Sequence, residues 1–161
     1  MRCDLDRPRS SARREAGFTL LETVCALAIL AMLAAIILPS LPHGTTRARL
    51  RAYAVETAAL LVSDRNAAIR RRAPVMTELS AIARQIRSGA GGGLVQLPDD
   101  VHFDALLAAR CAGRAGGTAI EFFPSGMSCG GTIALTRPGA GFQIRVNWLT
   151  GGVDVVPFEA L

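Results

Sequence analysis

One short stretch of this sequence carries residue types associated with hydrolysis. Residues 126–130 read GMSCG, which matches the G-x-S-x-G pattern around the nucleophilic serine of many hydrolases. That serine needs a strand-to-helix turn and a histidine that follows it, but Ser128 lies between two strand-like segments. Both histidines, His43 and His102, precede Ser128. The sequence therefore predicts no enzyme, and Cys129 lacks a base for the same reason.

Acidic side chains and cysteines are also poorly spaced for a metal ion. Asp99, Asp100 and Asp104 do not have the spacing of a calcium loop, and two aspartates after a proline are typical of a turn. We therefore predict no metal and no cofactor.

The four cysteines form no C-x-x-C pair and have no histidine nearby, which excludes a zinc motif. Cys3 lies near the N-terminus and Cys25 lies in an apolar run, so Cys111 and Cys129 remain as a candidate pair. They are either two free thiols in a Gly-rich region or a disulfide, which requires an oxidising compartment. A bond closing this loop would add about 3 kcal/mol of stability in the chain-entropy model.

Composition limits the class of protein. The chain has 161 residues, of which 50% are hydrophobic and 19% are charged, so one folded domain is expected. All 18 basic residues are arginines and the net charge is +5. This small excess is a weak argument for nucleic-acid binding. The basic cluster 70–72 is interpreted as a solvated helix end, with a phosphate contact as the alternative.

The strongest signal is an acidic residue inside an apolar run. Residues 18–38 form 21 residues with one charge, Glu22, after an arginine-rich segment at 1–17. A helix of that length would measure roughly 31 Å, the thickness of a bilayer core. Arginines before it predict a cytoplasmic N-terminus. A carboxylate in lipid costs about 2.5–3.5 kcal/mol at mid-helix, so Glu22 is expected to have a functional partner.

The sequence GFTLLE at residues 17–22 resembles the signal of type IV pilins and type II secretion pseudopilins. The resemblance implies that prepilin peptidase cleaves after Gly17 and that Phe18 becomes N-methylated. Thr19 is part of the same motif. The resemblance also implies that Glu22 pairs with the Phe18 amine of a neighbouring subunit during filament assembly. Pro39 falls where many pilins bend their helix.

Residues 45–72 contain no proline or glycine and are rich in alanine, leucine and arginine, which predicts an amphipathic helix. Its apolar stripe includes Leu50, Ala54, Leu61 and Ala68, whereas Asp64 is interpreted as lying off the stripe. Pro74 ends the helix. We expect one long N-terminal helix, bent near the prolines at 39 and 42.

The remainder of the chain alternates short apolar segments with glycine and proline turns, which predicts antiparallel sheets. Trp148 is expected in the sheet core and His102 partly buried in a strand; 104–117 is expected to be a long loop, and 80–87 is ambiguous between helix and strand. The fold class is α+β, a long helix packed on a β-rich C-terminal domain. The predicted strands are 75–79, 94–97, 101–103, 118–123, 132–136, 142–148 and 153–158.

Two segments in the C-terminal half resemble the H-type minor pseudopilins of type II secretion, GspH. They are IEFFPSG followed by SCGGTIAL, at residues 120–135, and IRVNWLTG at residues 144–151. FimT-type minor type IV pilins, which act in pilus assembly or DNA uptake, share the layout and are the alternative. The resemblance implies a hetero-oligomeric filament with other major and minor pseudopilins, prepilin peptidase and an inner-membrane secretion platform as partners, and export of folded proteins.

These observations predict four segments. A leader at 1–17 precedes a transmembrane and filament-core helix at 18–38, then a kinked periplasmic stem helix at 39–72, and finally a β-rich pseudopilin domain at 73–161. The predicted location is the bacterial inner membrane, with a single span and the C-terminal domain in the periplasm. Nucleic acid is not an expected partner.

Overall fold

The computed structural model describes residues 19–37 and 44–160. The chain divides into two compact units, Met1–Leu41 and Pro42–Leu161. A helix, α1 (Leu20–Ile37), is the described part of the first unit. The second unit contains a helix, α2 (Arg47–Arg71), followed by antiparallel sheets, so the α+β class is confirmed. Pro39 and Pro42, where a bend was predicted, lie outside the described residues.

Local capping sets both ends of α2. The Thr46 hydroxyl accepts a hydrogen bond from the Arg49 N–H at 3.2 Å, which satisfies one of the free donors of the first turn. The helix ends where Arg72 adopts a left-handed conformation with φ +52° and donates its N–H back to the last turn. Pro74 follows and cannot continue the helix. The helix predicted over 45–72 is therefore confirmed for Arg47–Arg71.

The strands form two four-stranded sheets and a short hairpin, all antiparallel. The first sheet has the order β3-β2-β1-β7, the second has the order β10-β9-β8-β4, and β5 pairs with β6. The strands are β1 (Val75–Ser80), β2 (Gln85–Arg87), β3 (Leu94–Gln96), β4 (His102–Leu107), β5 (Arg110–Cys111), β6 (Arg114–Ala115), β7 (Ala119–Phe122), β8 (Gly131–Arg137), β9 (Ala140–Val146) and β10 (Val153–Phe158).

The segments predicted as strands all contain a strand, but two regions differ from expectation. The segment 80–87 is a turn followed by β2, and the predicted loop 104–117 contains most of β4 and the β5–β6 hairpin. The hairpin strands have only two residues each, too short for an alternating pattern to be visible in the sequence.

One face of α2 packs on both sheets and closes the core. Leu50, Ala54, Leu61 and Ala68 are fully or almost fully buried, as the predicted stripe requires. They meet the inner faces of the strands, where Phe122, Ile133, Leu135 and Ile144 are among the largest buried side chains. Burial of this kind supplies about 25 cal/mol per Å² of apolar surface, which makes the stripe the main attachment of α2.

The prediction that Asp64 lies off the buried stripe is wrong. Asp64 is 0% exposed and its carboxylate accepts four hydrogen bonds from outside α2. The Thr77 hydroxyl donates at 2.6 Å, the Ser88 hydroxyl also donates, and the N–H groups of Gly89 and Ala90 donate at 3.1 and 3.2 Å. This carboxylate therefore joins α2 to β1 and to the loop after β2.

Thr45, just before α2, is also fixed by hydrogen bonds. Asp100, just before β4, accepts from the backbone N–H of Thr45 and from its hydroxyl, the latter at 2.8 Å. The Arg137 guanidinium donates to the Thr45 carbonyl. The Thr45 N–H, and then its hydroxyl, stabilise the carboxylate and hold the pKa of Asp100 below its usual value of 3.8.

Candidate assembly site and docking surfaces

The N-terminus of α1 is built around Thr19 and Glu22. The Thr19 hydroxyl accepts a hydrogen bond from the Glu22 N–H at 3.2 Å, and the Thr19 carbonyl accepts from the Thr23 N–H at 3.2 Å. Thr19 therefore caps α1, and Glu22 lies in the first turn, where the helix dipole favours a carboxylate. Sequence reasoning missed this local role, although the T-x-x-E spacing is a capping signal.

The predicted motif contains two further residues, at the cleavage position. Gly17 and Phe18 are outside the described residues, so the predicted cleavage position and its amine have no described geometry. Glu22 is exposed and forms no salt bridge within residues 19–37 and 44–160. Its carboxylate is thus available to a group that the described residues do not supply.

Apart from Glu22 and Thr23 near its start, the described surface of α1 is apolar on all sides. Every side chain described between Leu20 and Ala35 is exposed. The largest of them, each more than half exposed, are Leu20, Leu21, Val24, Leu27, Ile29, Leu30, Met32 and Leu33. A helix without a polar face is stable only in apolar surroundings. Within the residues that the structure describes, no helix is both long enough and apolar enough to cross a membrane.

A disulfide fixes the β5–β6 hairpin to the turn before β8. Cys111 and Cys129 are bonded, with their Cα atoms 5.5 Å apart. Arg114 on the hairpin holds both oxygens of the buried Glu121 on β7, at 2.9 and 3.0 Å. The hairpin and the outward side chains of β1 and β2, including Glu78, enclose a cleft of about 620 Å³. The disulfide and the Arg114–Glu121 ion pair both line this cleft.

A second surface lies at the turn between β9 and β10, where the prediction that Trp148 is in the core is wrong. Trp148 is 61% exposed and Leu149 is 55% exposed. The Asn147 side chain accepts hydrogen bonds from the N–H groups of Leu149 and Thr150, at 2.9 and 3.0 Å. Arg65 of α2 donates to the Thr150 carbonyl at 3.1 Å. A well-fixed turn thus holds two large apolar side chains in solvent.

The comparisons with known proteins fit this arrangement. A family model described as prokaryotic N-terminal methylation motif matches residues 12–38, which include Thr19, Glu22 and α1. The type II secretion system protein H of Xanthomonas campestris pv. campestris is 30% identical over 147 residues, 91% of this chain and 86% of that protein. The chain belongs to the type II secretion system protein H family. No solved structure gives a significant match.

Membership of the protein H family confirms the pseudopilin resemblance of the N-terminus and of the two C-terminal segments. It also favours the secretion branch over the FimT-type alternative.

The serine of the GMSCG stretch has a structural role. The Ser128 hydroxyl donates to the Asn147 carbonyl at 3.1 Å and accepts from the Gly130 N–H at 3.0 Å. It therefore holds the turn before β8 against the turn after β9. His102, predicted to be partly buried, is exposed on β4.

Candidate metal ligands in the described residues already have other partners. Cys111, Glu121 and Cys129 come together, but the cysteines are bonded to each other and Glu121 is held by Arg114. Asp99 pairs with Arg84, and Asp100 with Thr45.

The basic cluster 70–72 lies at the solvent-exposed end of α2. Arg71 donates to the Ala90 carbonyl at 2.8 Å, and Arg72 forms the C-cap. Cations at a helix C-terminus stabilise it by typically about 0.3–1 kcal/mol each. The predicted solvated helix end accounts for all three arginines.

Proposed function

We propose that this protein is a minor pseudopilin of a type II secretion system that joins a periplasmic filament through its N-terminal helix. It is made as a precursor, cleaved after Gly17 by prepilin peptidase and N-methylated at Phe18. Residues 18–38 cross the inner membrane once, with the N-terminus in the cytoplasm and the domain in the periplasm. Growth of the filament, driven by an inner-membrane secretion platform, exports folded proteins across the outer membrane.

The observation that carries this proposal is the surface of α1. Apart from Glu22 and Thr23, its described side chains are apolar, and they are exposed on all sides. Glu22 is the single acid of the helix and lies in its first turn. Such a helix is stable among lipid tails or among similar helices, both of which a filament subunit meets. The neighbours are other major and minor pseudopilins, and the family membership supports that choice.

Glu22 sets the register of assembly in this proposal. After cleavage, the amine of Phe18 on an adjacent subunit is a cation of the right sign to pair with the Glu22 carboxylate. An unpaired acid in lipid is costly, which favours subunits that have found a partner. The protein acts as a structural subunit in this scheme, and no step needs a catalytic group.

The test uses two variants at residue 22, one variant at residue 19, and the proteins secreted by a deletion strain. Glu22→Gln keeps a side chain that can close the capping pattern with Thr19 but removes the charge. Glu22→Leu removes both, and Thr19→Val removes only the cap, because its side chain has nearly the same shape. Each variant is expressed in the deletion strain, and the culture medium and periplasm are compared by mass spectrometry.

We expect that the deletion strain retains exoproteins in the periplasm and that the wild type restores their export. Glu22→Gln and Glu22→Leu should both fail to restore it, since each lacks the charge, whereas Thr19→Val should restore most of it. Export by Glu22→Gln would show that the residue only caps the helix. An unchanged set of secreted proteins, with loss of pili or DNA uptake, would place the protein in a type IV pilus instead.

A further inference from the structure

Three arginines in the first two turns of α2 have no acidic partner among the described residues. Arg47, Arg49 and Arg51 are exposed, and none of them forms a salt bridge within residues 19–37 and 44–160. The first turn of α2 contains no acid. Cations at a helix N-terminus oppose the helix dipole, so these side chains weaken α2 and do not stabilise it.

Asp100, which contacts Thr45, and its sequence neighbour Asp99 already have partners. Asp100 accepts both hydrogen bonds from Thr45, immediately before the helix. Its neighbour Asp99 pairs with Arg84. A further cation, Arg137, reaches the Thr45 carbonyl. Arg84 and Arg137 thus match the charges of Asp99 and Asp100, and neither of these two acids is paired with Arg47, Arg49 or Arg51.

Chain length keeps these arginines close to the proposed membrane span. Eight residues separate the end of the span, Leu38, from Arg47, and the nine Cα–Cα steps between them cover at most about 32 Å when fully extended. Arg51 is one further helical turn away, about 6 Å along the axis. Because Thr45 is fixed to the domain by Asp100 and Arg137, the arginines and the surface around Thr45 move as one body.

We propose that Arg47, Arg49 and Arg51 bind the phosphate groups of anionic phospholipids on the periplasmic surface of the membrane that holds the span. This inference rests on the proposed anchoring of residues 18–38. Guanidinium groups match phosphate oxygens in geometry and charge, and basic residues next to a membrane anchor are attracted to anionic lipids. The contact ties the N-terminal end of α2 to the membrane surface until the subunit enters the filament.

An acidic surface of a neighbouring subunit is negatively charged, as the lipid phosphates are, and is the other candidate partner. Lipid is favoured because it is present wherever the span is, whereas a protein partner is present only after assembly. The short connection to the span also places the arginines within reach of the membrane surface in every subunit. Lipid association of the full chain in vesicles, compared with co-purification with other pseudopilins, distinguishes the two partners.

The test uses the full chain reconstituted into phosphatidylcholine vesicles that contain a trace of spin-labelled lipid. The relative association of spin-labelled phosphatidylglycerol and phosphatidylcholine with the protein is measured by electron paramagnetic resonance at low and at high salt. The variant R47Q/R49Q/R51Q is compared with R70Q/R71Q/R72Q, which removes the same charge at the opposite end of α2. R47K/R49K/R51K keeps the charge, and thermal melting followed by circular dichroism checks the fold of every variant.

We expect the wild type to prefer phosphatidylglycerol about fivefold for each arginine engaged, and to lose most of this preference at high salt. R47Q/R49Q/R51Q should lose the preference, while R70Q/R71Q/R72Q and the lysine variant should keep it. Equal loss in both glutamine variants, or no preference in the wild type, would overturn the inference. No preference, combined with failure of R47Q/R49Q/R51Q to co-purify with other pseudopilins, would assign the arginines to an acidic protein surface.

Failure of the full chain to float with the vesicles would instead refute the anchoring in the proposed function. Insertion without lipid preference would leave that function intact and refute only the lipid contact. The two failures are therefore distinguishable in one preparation.

Discussion

Replacing Asp64 by alanine should destabilise the domain more than any other single polar change in the described residues. The side chain is fully buried, and its two oxygens accept hydrogen bonds from two hydroxyls and two backbone N–H groups. Asp64→Ala removes the acceptor and leaves Thr77, Ser88, Gly89 and Ala90 with donors that have lost this partner. Ala90 N–H retains a bond to the Ser88 hydroxyl at 3.1 Å, so three donors are most affected.

The size of the effect follows from these contacts. A hydrogen bond to a charged group contributes about 1.5–3 kcal/mol, and a buried donor without a partner costs about 1–3 kcal/mol. Since neighbouring effects do not add fully, we expect a loss of about 3–5 kcal/mol for Asp64→Ala. That is a large part of the roughly 5–15 kcal/mol that holds a typical domain together. Asp64→Asn, which keeps one good acceptor, should lose about half as much.

Urea unfolding of residues 44–161, followed by far-ultraviolet circular dichroism, measures this loss. The matched control is Asp154→Asn, an exposed aspartate on β10, which should change stability by less than about 0.5 kcal/mol. The double variant Asp64→Ala with Thr77→Val should be less destabilised than the sum of the two single variants, because they share one hydrogen bond. A loss below about 1 kcal/mol for Asp64→Ala would refute the inference that this carboxylate joins α2 to the first sheet.

Two further predictions concern the disulfide and the contact at Thr45. Reduction, or Cys111→Ser with Cys129→Ser, should lower the unfolding free energy by about 3 kcal/mol, measured by urea unfolding with and without dithiothreitol; an unchanged midpoint would contradict it. Because its folded pKa is lowered, Asp100 contributes stability that is fully present above its usual pKa of 3.8 and is lost as the pH falls through the folded pKa. Acid titration of the melting temperature should therefore be flatter in Asp100→Asn than in the wild type, and identical curves would refute the contribution.

The position of Asp64 shows where residue type misled the sequence interpretation of α2. Buried positions follow one another at intervals of three or four residues, and residue 64 falls on that series between Leu61 and Ala68. Periodicity alone thus placed it inside, but its charge argued for the surface. The partners that make burial tolerable, Thr77 and Ser88, come from β1 and the loop after β2. A single helix pattern cannot reveal them.

Trp148 shows the opposite error, in which an apolar residue was assigned to the core. The strand that was predicted to end at Trp148 ends at Val146. Asn147 then accepts two backbone N–H groups and starts a turn, a role typical of asparagine. The Asn and Gly residues flanking this segment carried the turn signal. Exposure of an aromatic side chain is decided by tertiary contacts that no local pattern contains.

The main helix and strands were predictable because their sequence patterns are long or regularly spaced. The helix over 45–72 repeats its stripe for about five turns, and β10 coincides with its predicted bounds. At the candidate site, the sequence identified the motif around Glu22 but not the cap that Thr19 provides. The cleft beside the β5–β6 hairpin was not predictable, because it depends on where Arg114 and Glu121 meet in space.

The contacts along α2 show how this helix is held on the domain. Asp100 and Arg137 bind Thr45, just before the helix begins, whereas Asp64 binds β1 and its neighbour Arg65 donates to carbonyls of the turns at Gly126 and Thr150. Thr45 and Arg65 are 20 residues apart, roughly 30 Å along a helix. Because these polar contacts lie at the start of α2 and in its C-terminal half, the helix cannot slide or peel away without breaking several of them. A single terminal contact would leave the other end of the helix to apolar packing alone, which is not directional.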